Sequence, residues 1–427
     1  MFHKKTIKDI DISGKTVLVR VDYNVPIKDG VITDDYRLKK SLPTLEYLIE
    51  KGCKIILVSH LGRPKGKIDK SLSLKPCAEQ LEKLLGKNVH FAESCIGEDV
   101  KNKIRELSSG EVILLENIRF HPEEESNDEA FAKNLASYAE VFVQDAFGVV
   151  HHPSVSVSEL PKHLPAVAGL LVEKEVSAIT EMMENPPRPL MAIIGGAKIS
   201  DKLDIINRFI DVADIVAIGG AMANTFLLAE GIEVGESLAE SEEVPKAIEI
   251  LGKARDKAKK GSFVFYVPQD GVVAKEMDSK AKTRIVDWGT HAIAEIENYP
   301  KHPKPEDSLV QKDEKILDVG PFSGAFIAGC TQLARSVVWN GAMGVTEIEG
   351  LQSPTGPFSH GTELIVEALM GQFGHRPKSL IGGGDTVGYV ESRGLTDKFD
   401  HVSTGGGASM DLLSGKKLPG VEALQDK

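Results

Sequence analysis

Two lysines, Lys198 and Lys202, stand in AIIGGAKISDKLDII (residues 192–206), after a Gly-Gly pair and where a helical pattern opens. A helix N-terminus carries about half a positive charge, so cations there are misplaced unless an anion joins them. Glycines follow apolar runs throughout this half: Gly195-Gly196, Gly219-Gly220, Gly341, Gly382-Gly383-Gly384 and Gly405-Gly406-Gly407. Strand-end glycines let backbone N–H groups approach a phosphate, and the helix that follows adds its dipole. Any one pair alone is most simply a tight turn; their recurrence points to a nucleotide polyphosphate. Neither GxxxxGK[ST] nor GxGxxG occurs. Asp385, in GGGDTV, fits two roles: a helix N-cap, or the single carboxylate through which Mg²⁺ is held beside substrate oxygens.

The first half carries different chemistry. Asp22, Asn24, His60, Arg63, Arg119 and His151 follow apolar runs, and Arg37 opens a helical stretch. Arg37 has Asp34 and Asp35 beside it and fits a local ion pair equally well. Several arginines with a histidine suit a small, multiply anionic ligand, because guanidinium groups grip phosphate and carboxylate bidentately. Asp22 and Asn24 add acceptors that can read a hydroxyl.

The elements that must position these residues alternate along the chain. TVLVRVDYNVP, KIILVSHLGRP, EVILLENIRF and VFVQDAFG read as short, fully apolar strands running into loops, with helical stretches between them. That pattern predicts a parallel sheet covered on both faces. A helix over 172–186 closes on NPPRP. The alternation then restarts in LMAIIGG, DIVAIGGAM, SFVFYVP, KILDVGP, SVVWNGAMG, SLIGGGD and HVSTGGG. We therefore expect an α/β protein: two doubly wound parallel-sheet domains joined by the 172–186 helix, with 297–315 a surface excursion of the second. In such sheets ligands bind beyond the carboxyl ends of the strands, where the residues above lie.

At 427 residues the chain is long enough for two such domains. A net charge of −12 argues against a nucleic-acid or anionic-membrane partner. Cys53, Cys77, Cys95 and Cys330 show neither CxxC nor ligand spacing, which predicts reduced thiols and no structural zinc. The sequence shows neither a signal peptide nor a membrane span, so the expected location is cytoplasmic.

Across its whole length the chain resembles the phosphoglycerate kinases. The shared motifs, in the family's order, are RVDYNVP, ITDDYR, SHLGRPKG, LLENIRFHPEEE, QDAFG, GGAKISDK, IGGAMANTF, DVGP, VVWNGAMGVTE, GGGDTV and STGGGAS. The resemblance implies a monomeric, two-lobed enzyme of glycolysis whose domains face a cleft. Such an enzyme moves a phosphoryl group between ATP and 3-phosphoglycerate. It implies a phosphoglycerate-binding domain over 1–171, a Mg-nucleotide-binding domain over 187–404 and a segment, 405–427, that returns to the first domain. Carried across, Asp22, Asn24 and Arg37 hold the acid's hydroxyl and carboxylate, and His60, Arg63, Arg119 and the position of His152 hold its phosphate. Gly196, Ala197, Lys198, Lys202, Gly219, Gly220, Gly383 and Gly384 form the nucleotide phosphate site. Asn340 and Glu347 take the nucleoside end, and Asp385 the Mg²⁺ with Thr386 beside it. Arg37, Lys198 and Lys202 are the implied catalytic residues.

The chain departs from the family at three places. His152 stands where the family places an arginine, Ala342 where it has proline, and Asp411 where it has glutamate. The first departure keeps open one alternative, a kinase of another small carboxylate; a non-catalytic descendant that keeps the nucleotide-binding half is a separate one.

Overall fold

The computed structural model describes residues 2–288, 309–350 and 355–427. The chain forms two compact units: Met1–Thr180 together with Gly407–Lys427, and Glu181–Gly406. Among the described residues no helix is long and apolar enough to cross a membrane. The four cysteines are buried, unpaired thiols.

In the first unit the strands are β1 (Thr16–Arg20), β2 (Ile27–Lys28), β3 (Val31–Ile32), β4 (Lys54–Val58), β5 (Val89–Ala92), β6 (Val112–Leu115), β7 (Val141–Gln144) and β8 (Ala166–Ala168). β2 and β3 form a small hairpin; the others make one sheet in the order β5-β6-β4-β1-β7-β8, every pair parallel. Both faces are covered. Val17, Val19, Ile55 and Leu57 are buried on one side, and their neighbours Leu18 and Ile56 are buried on the other. This is why the strands read as continuous apolar runs rather than alternating ones.

The second unit holds β9 (Leu190–Ile194), β10 (Ile215–Ile218), β11 (Val264–Tyr266), β12 (Asp270–Ala274), β13 (Arg284–Asp287), β14 (Lys315–Val319), β15 (Ser336–Asn340), β16 (Lys378–Gly382) and β17 (His401–Val402). Its main sheet runs β11-β10-β9-β15-β16-β17, again parallel. KILDVGP departs from the expected pattern. Its strand, β14, belongs to a separate sheet, β13-β12-β14, whose pairs are antiparallel. Only Val267–Gln269 separate β11 from β12, too few for the crossover a parallel partner needs. An apolar run does not reveal which sheet it joins.

The connecting helix spans Leu170–Glu184, two residues earlier than expected at each end. Pro186 and Pro187 explain its end, since the residue before a proline is driven out of the helical region. Its start is held from the sheet: Thr44 Oγ1 accepts from the Leu170 N–H (2.9 Å), and Asp145 Oδ1, just beyond β7, accepts from Leu171 (2.9 Å) and Val172 (3.3 Å). Of the predicted surface excursion, 297–308 lies outside the described residues.

Candidate active site

In the first unit the cationic cluster forms around the loops that leave β1, β4 and β6. Arg37, the second residue of the helix Tyr36–Glu50, donates from Nη1 to Asp22 Oδ2 (2.7 Å). Asp35 is engaged instead by Lys39 (2.8 Å), so Arg37 is not the partner of its sequence neighbours. Asn24 Oδ1 accepts from the Gly62 N–H (2.9 Å), and Arg119 Nη1 donates to the Gly62 carbonyl (2.9 Å). His60 is buried, its Nδ1 3.9 Å from Asp22 Oδ1. Hydrogen bonds and close approach thus link Asp22, Asn24, Arg37, His60 and Arg119 through loop 60–63. Arg63 and His152 are exposed, the latter with its ring 3.9 Å from that of His151.

The electrostatics follow from burial among arginines. Burial alone drives Asp22 upward, but Arg37, His60 and Arg20 outweigh it and hold the carboxyl below its usual range. Burial pushes His60 down to about 3; Asp22 opposes this, and Arg20, Arg119 and Arg37 reinforce it. His60 is therefore a neutral imidazole at physiological pH. The sequence reading missed Arg20, the terminal residue of β1, which is buried with its Nη2 3.2 Å from His60 Nδ1. The available signal was a cation inside an otherwise apolar strand.

In the second unit the glycine loops lie at the carboxyl ends of four adjacent strands, β10, β9, β15 and β16. Four of their amides are bonded within the protein. Gly195 donates to the Asn340 carbonyl (3.0 Å), Gly196 to Ala342 (3.1 Å), Gly219 to Ile194 (2.9 Å) and Gly220 to Met343 (3.0 Å). The glycines allow loops to cross. A Cβ on Gly195 would lie 2.1 Å from the Ala342 carbonyl oxygen, and one on Gly341 2.1 Å from that of Gly195. At Gly195, Gly219, Gly220 and Gly341 what glycine supplies is close backbone approach.

Lys198 is exposed in the loop before the turn Ser200–Lys202, and Lys202 is the buried residue that leads into the helix Leu203–Val212. Lys202 Nζ donates to the Asn340 carbonyl (3.1 Å) and to Asn340 Oδ1. Burial lowers its pKa to about 8, against the pull of Asp385 and Asp201. Asn340 was expected at the nucleoside end. Its side chain instead sits on Lys202, because it is the last residue of β15 and its main chain faces the β9 loop. Its Nδ2 is a buried donor with no partner. Asp385 is exposed in the first turn of the helix Gly384–Ser392, whose N-cap is Gly383 without a side-chain cap; the N-cap role is thereby excluded. Thr386 Oγ1 accepts from the Gly341 N–H (2.7 Å).

Beside these loops lies a cavity of about 590 Å³, walled by Leu238, Pro268, Met277, Trp288, Leu317 and Val345. Gly196, Ala197, Gly220, Glu347 and Asp385 also line it. A largely apolar slot that opens on a lysine-bearing loop suits a flat heterocycle joined to phosphates. The sequence reading missed the apolar walls, which come from separate strands and loops without a motif. The exposed Asp385 carboxylate fits Mg²⁺ that arrives with its nucleotide, since this ion keeps waters and phosphate oxygens as ligands. Among the described residues no group of three or more His, Cys, Asp or Glu is placed to hold a metal by itself.

Parallel sheets with glycine-loop and arginine sites beyond their strands define an α/β protein with the parts of a phosphotransferase. The family model for phosphoglycerate kinase matches residues 7–416. The chain is 44% identical to the phosphoglycerate kinase of Moorella thermoacetica, over 99% of this chain and all of that one. It is likewise 44% identical to that of Dictyoglomus turgidum, with the same coverage. Among solved structures, phosphoglycerate kinase from Coxiella burnetii superimposes with a TM-score of 0.81 at 34% identity, covering 98% of both chains. That from Pyrococcus horikoshii OT3 gives 0.79 at 30%, covering 99% of this chain and 98% of the other. The chain belongs to the phosphoglycerate kinase family. It is accordingly a kinase, a nucleotide-using transferase of glycolysis.

Proposed function

We propose that the chain catalyses reversible transfer of the ATP γ-phosphoryl group to the carboxylate of 3-phospho-D-glycerate, giving 1,3-bisphosphoglycerate and ADP. The observation that carries this reading is the linked cluster of Asp22, Arg37, His60 and Arg119, in a chain that also bears the Lys198–Lys202 loop. Residues 1–171 then bind the acid, with Asp22, Asn24 and Arg37 on its hydroxyl and carboxylate, and His60, Arg63, Arg119 and His152 on its phosphate. Residues 187–404 bind the nucleotide, its base in the cavity that Glu347 lines and its phosphates near Lys198, Lys202 and the first turn of Gly384–Ser392. Asp385 holds Mg²⁺ jointly with phosphate oxygens, and the ion supplies charge neutralisation there.

The attacking carboxylate is already ionised at neutral pH, so the polypeptide need not abstract a proton. Catalysis reduces to positioning and to cancelling charge on the transferred group. Arg37 in the first unit and Lys198 in the second are the residues we assign to that purpose. A coupled assay with ATP, Mg²⁺ and 3-phosphoglycerate tests the reading; absence of acid-dependent ADP formation would sink it. His152 favours one second reading, a different small carboxylic acid as acceptor, because an imidazole has at most two donors where a guanidinium has five. Comparing kcat/KM across related phosphorylated acids separates the two.

A further inference from the structure

We propose that Arg20 is a positioning residue: by donating to His60 Nδ1 it locks the imidazole in its Nε2–H tautomer, so that an N–H faces the anionic group of the acid substrate. The inference rests on the phosphoglycerate reading above.

Arg20 ends β1, and its guanidinium is buried. Its Nε donates to Ser156 Oγ (2.8 Å), its Nη1 to the Val21 carbonyl, and its Nη2 lies 3.2 Å from His60 Nδ1. A guanidinium has donors only, so Nδ1 must accept and the imidazole proton resides on Nε2. Asp22 is the rival partner and would draw a proton onto Nδ1, but at 3.9 Å its Oδ1 lies beyond hydrogen-bond reach. No hydrogen bond occupies Nε2 among the described residues, which leaves that N–H for a ligand. The groups that act on the ring are Asp22, Arg20, Arg119 and Arg37, and burial with the three arginines keeps it uncharged.

Arg20 is itself held rigidly. Ser156 donates from Oγ to Glu124 Oε1 (2.6 Å) and from its N–H to Oε2 (3.0 Å), and Ser154 Oγ adds a bond to Oε1 (2.8 Å). Glu124 is thus the buried counter-charge of a chain that runs Glu124–Ser156–Arg20–His60. Once Arg20 is removed, Asp22 is the polar neighbour left at Nδ1. The proton moves there, and Nε2 turns its lone pair to the substrate's oxygens.

The test begins with ¹⁵N-histidine NMR of the substrate-free wild type, the His60 signals being identified by their loss in His60→Asn. Expected is a protonated Nε2 and bare Nδ1 from pH 8 to pH 5; a protonated Nδ1 anywhere in that range overturns the proposal. In Arg20→Met the tautomer reverses. The KM for 3-phosphoglycerate rises about tenfold at pH 8, while that for MgATP is unchanged. An unaltered KM, or a raised KM with the tautomer unreversed, overturns the positioning role. Ser156→Ala, which frees one side of Arg20, gives a smaller change of the same sign and stands in if Arg20→Met does not fold. An unaltered His60 spectrum and KM in it count against the proposal. If the wild type shows the Nε2–H tautomer but no phosphoglycerate-dependent turnover, the assignment of substrate fails and the tautomer stands.

Discussion

Among individual residues, Lys198 and Lys202 share one loop but differ in surroundings. Lys198 is exposed, so its removal costs little stability. Lys198→Ala should lower kcat by at least about a hundredfold while the Kd for ADP shifts only a few-fold; unchanged turnover would reject its role. Lys202 is buried, with a pKa brought down to about 8. Bound phosphate favours its charged form. ADP affinity should therefore be flat below pH 8 and fall above it, approaching about tenfold per unit, with proton uptake on binding in that window. Calorimetry in two buffers of different ionisation enthalpy reads this directly, and Lys202→Met should abolish it. His152 is exposed and can be exchanged for a longer side chain without repacking. His152→Arg should lower the KM for 3-phosphoglycerate several-fold at unchanged thermal stability; an identical KM would show the position to be silent. The sequence exposed these polar residues because they interrupt apolar runs. Arg20 escaped notice because its meaning depends on His60, forty positions away.

Among elements, the glycine loops and the start of the connecting helix are the informative cases. Gly341 has φ +101°, and an added Cβ would meet the Gly195 carbonyl at 2.1 Å. Gly341→Ala should destabilise the second unit by about 1–3 kcal/mol, seen as a lowered denaturation midpoint. At the helix start, Asp145 is buried while it accepts two backbone N–H bonds, and burial lifts its carboxyl to about 7 despite the opposing bonds from Thr44, Val172 and Leu171. Its folded pKa lies above the unfolded value near 3.8. Its contribution is thus fully present below pH 4 and is lost as pH rises through 7. Asp145→Asn should gain stability relative to wild type on going from pH 5 to pH 8; a difference independent of pH would refute the linkage. The central strands, such as β1, β4, β6, β9 and β15, were legible because they are buried on both faces. The assignment of KILDVGP was not, because sheet membership depends on the length of a neighbouring connection.

For the molecule as a whole, the chain's end belongs to its beginning. Leu413, Leu418, Val421 and Leu424 are buried, and Gln425 donates to the Ala166 carbonyl (3.0 Å) while accepting from Lys5 (2.7 Å). Lys4 pairs with Asp426 at 2.8 Å. Each of those side chains contributes about 1.5–3 kcal/mol on burial, a sum comparable with the roughly 5–15 kcal/mol that holds a domain together. Deleting 407–427 should therefore abolish the cooperative transition of the first unit and leave that of the second. Calorimetry with unit-specific probes decides it, and two intact transitions would refute it.

What the amino-acid order determined unaided was the α/β alternation, the apolar strands, and the polar and glycine residues at strand ends, because burial and backbone freedom act through residue type and short spacing. Only the tertiary structure decided that Arg37 meets Asp22, that Asn340 holds Lys202, and that Gly195, Gly220 and Gly341 let loops cross. Those outcomes depend on which strands become neighbours, and hydrogen bonds between residues far apart in the chain become visible only once the sheets have assembled.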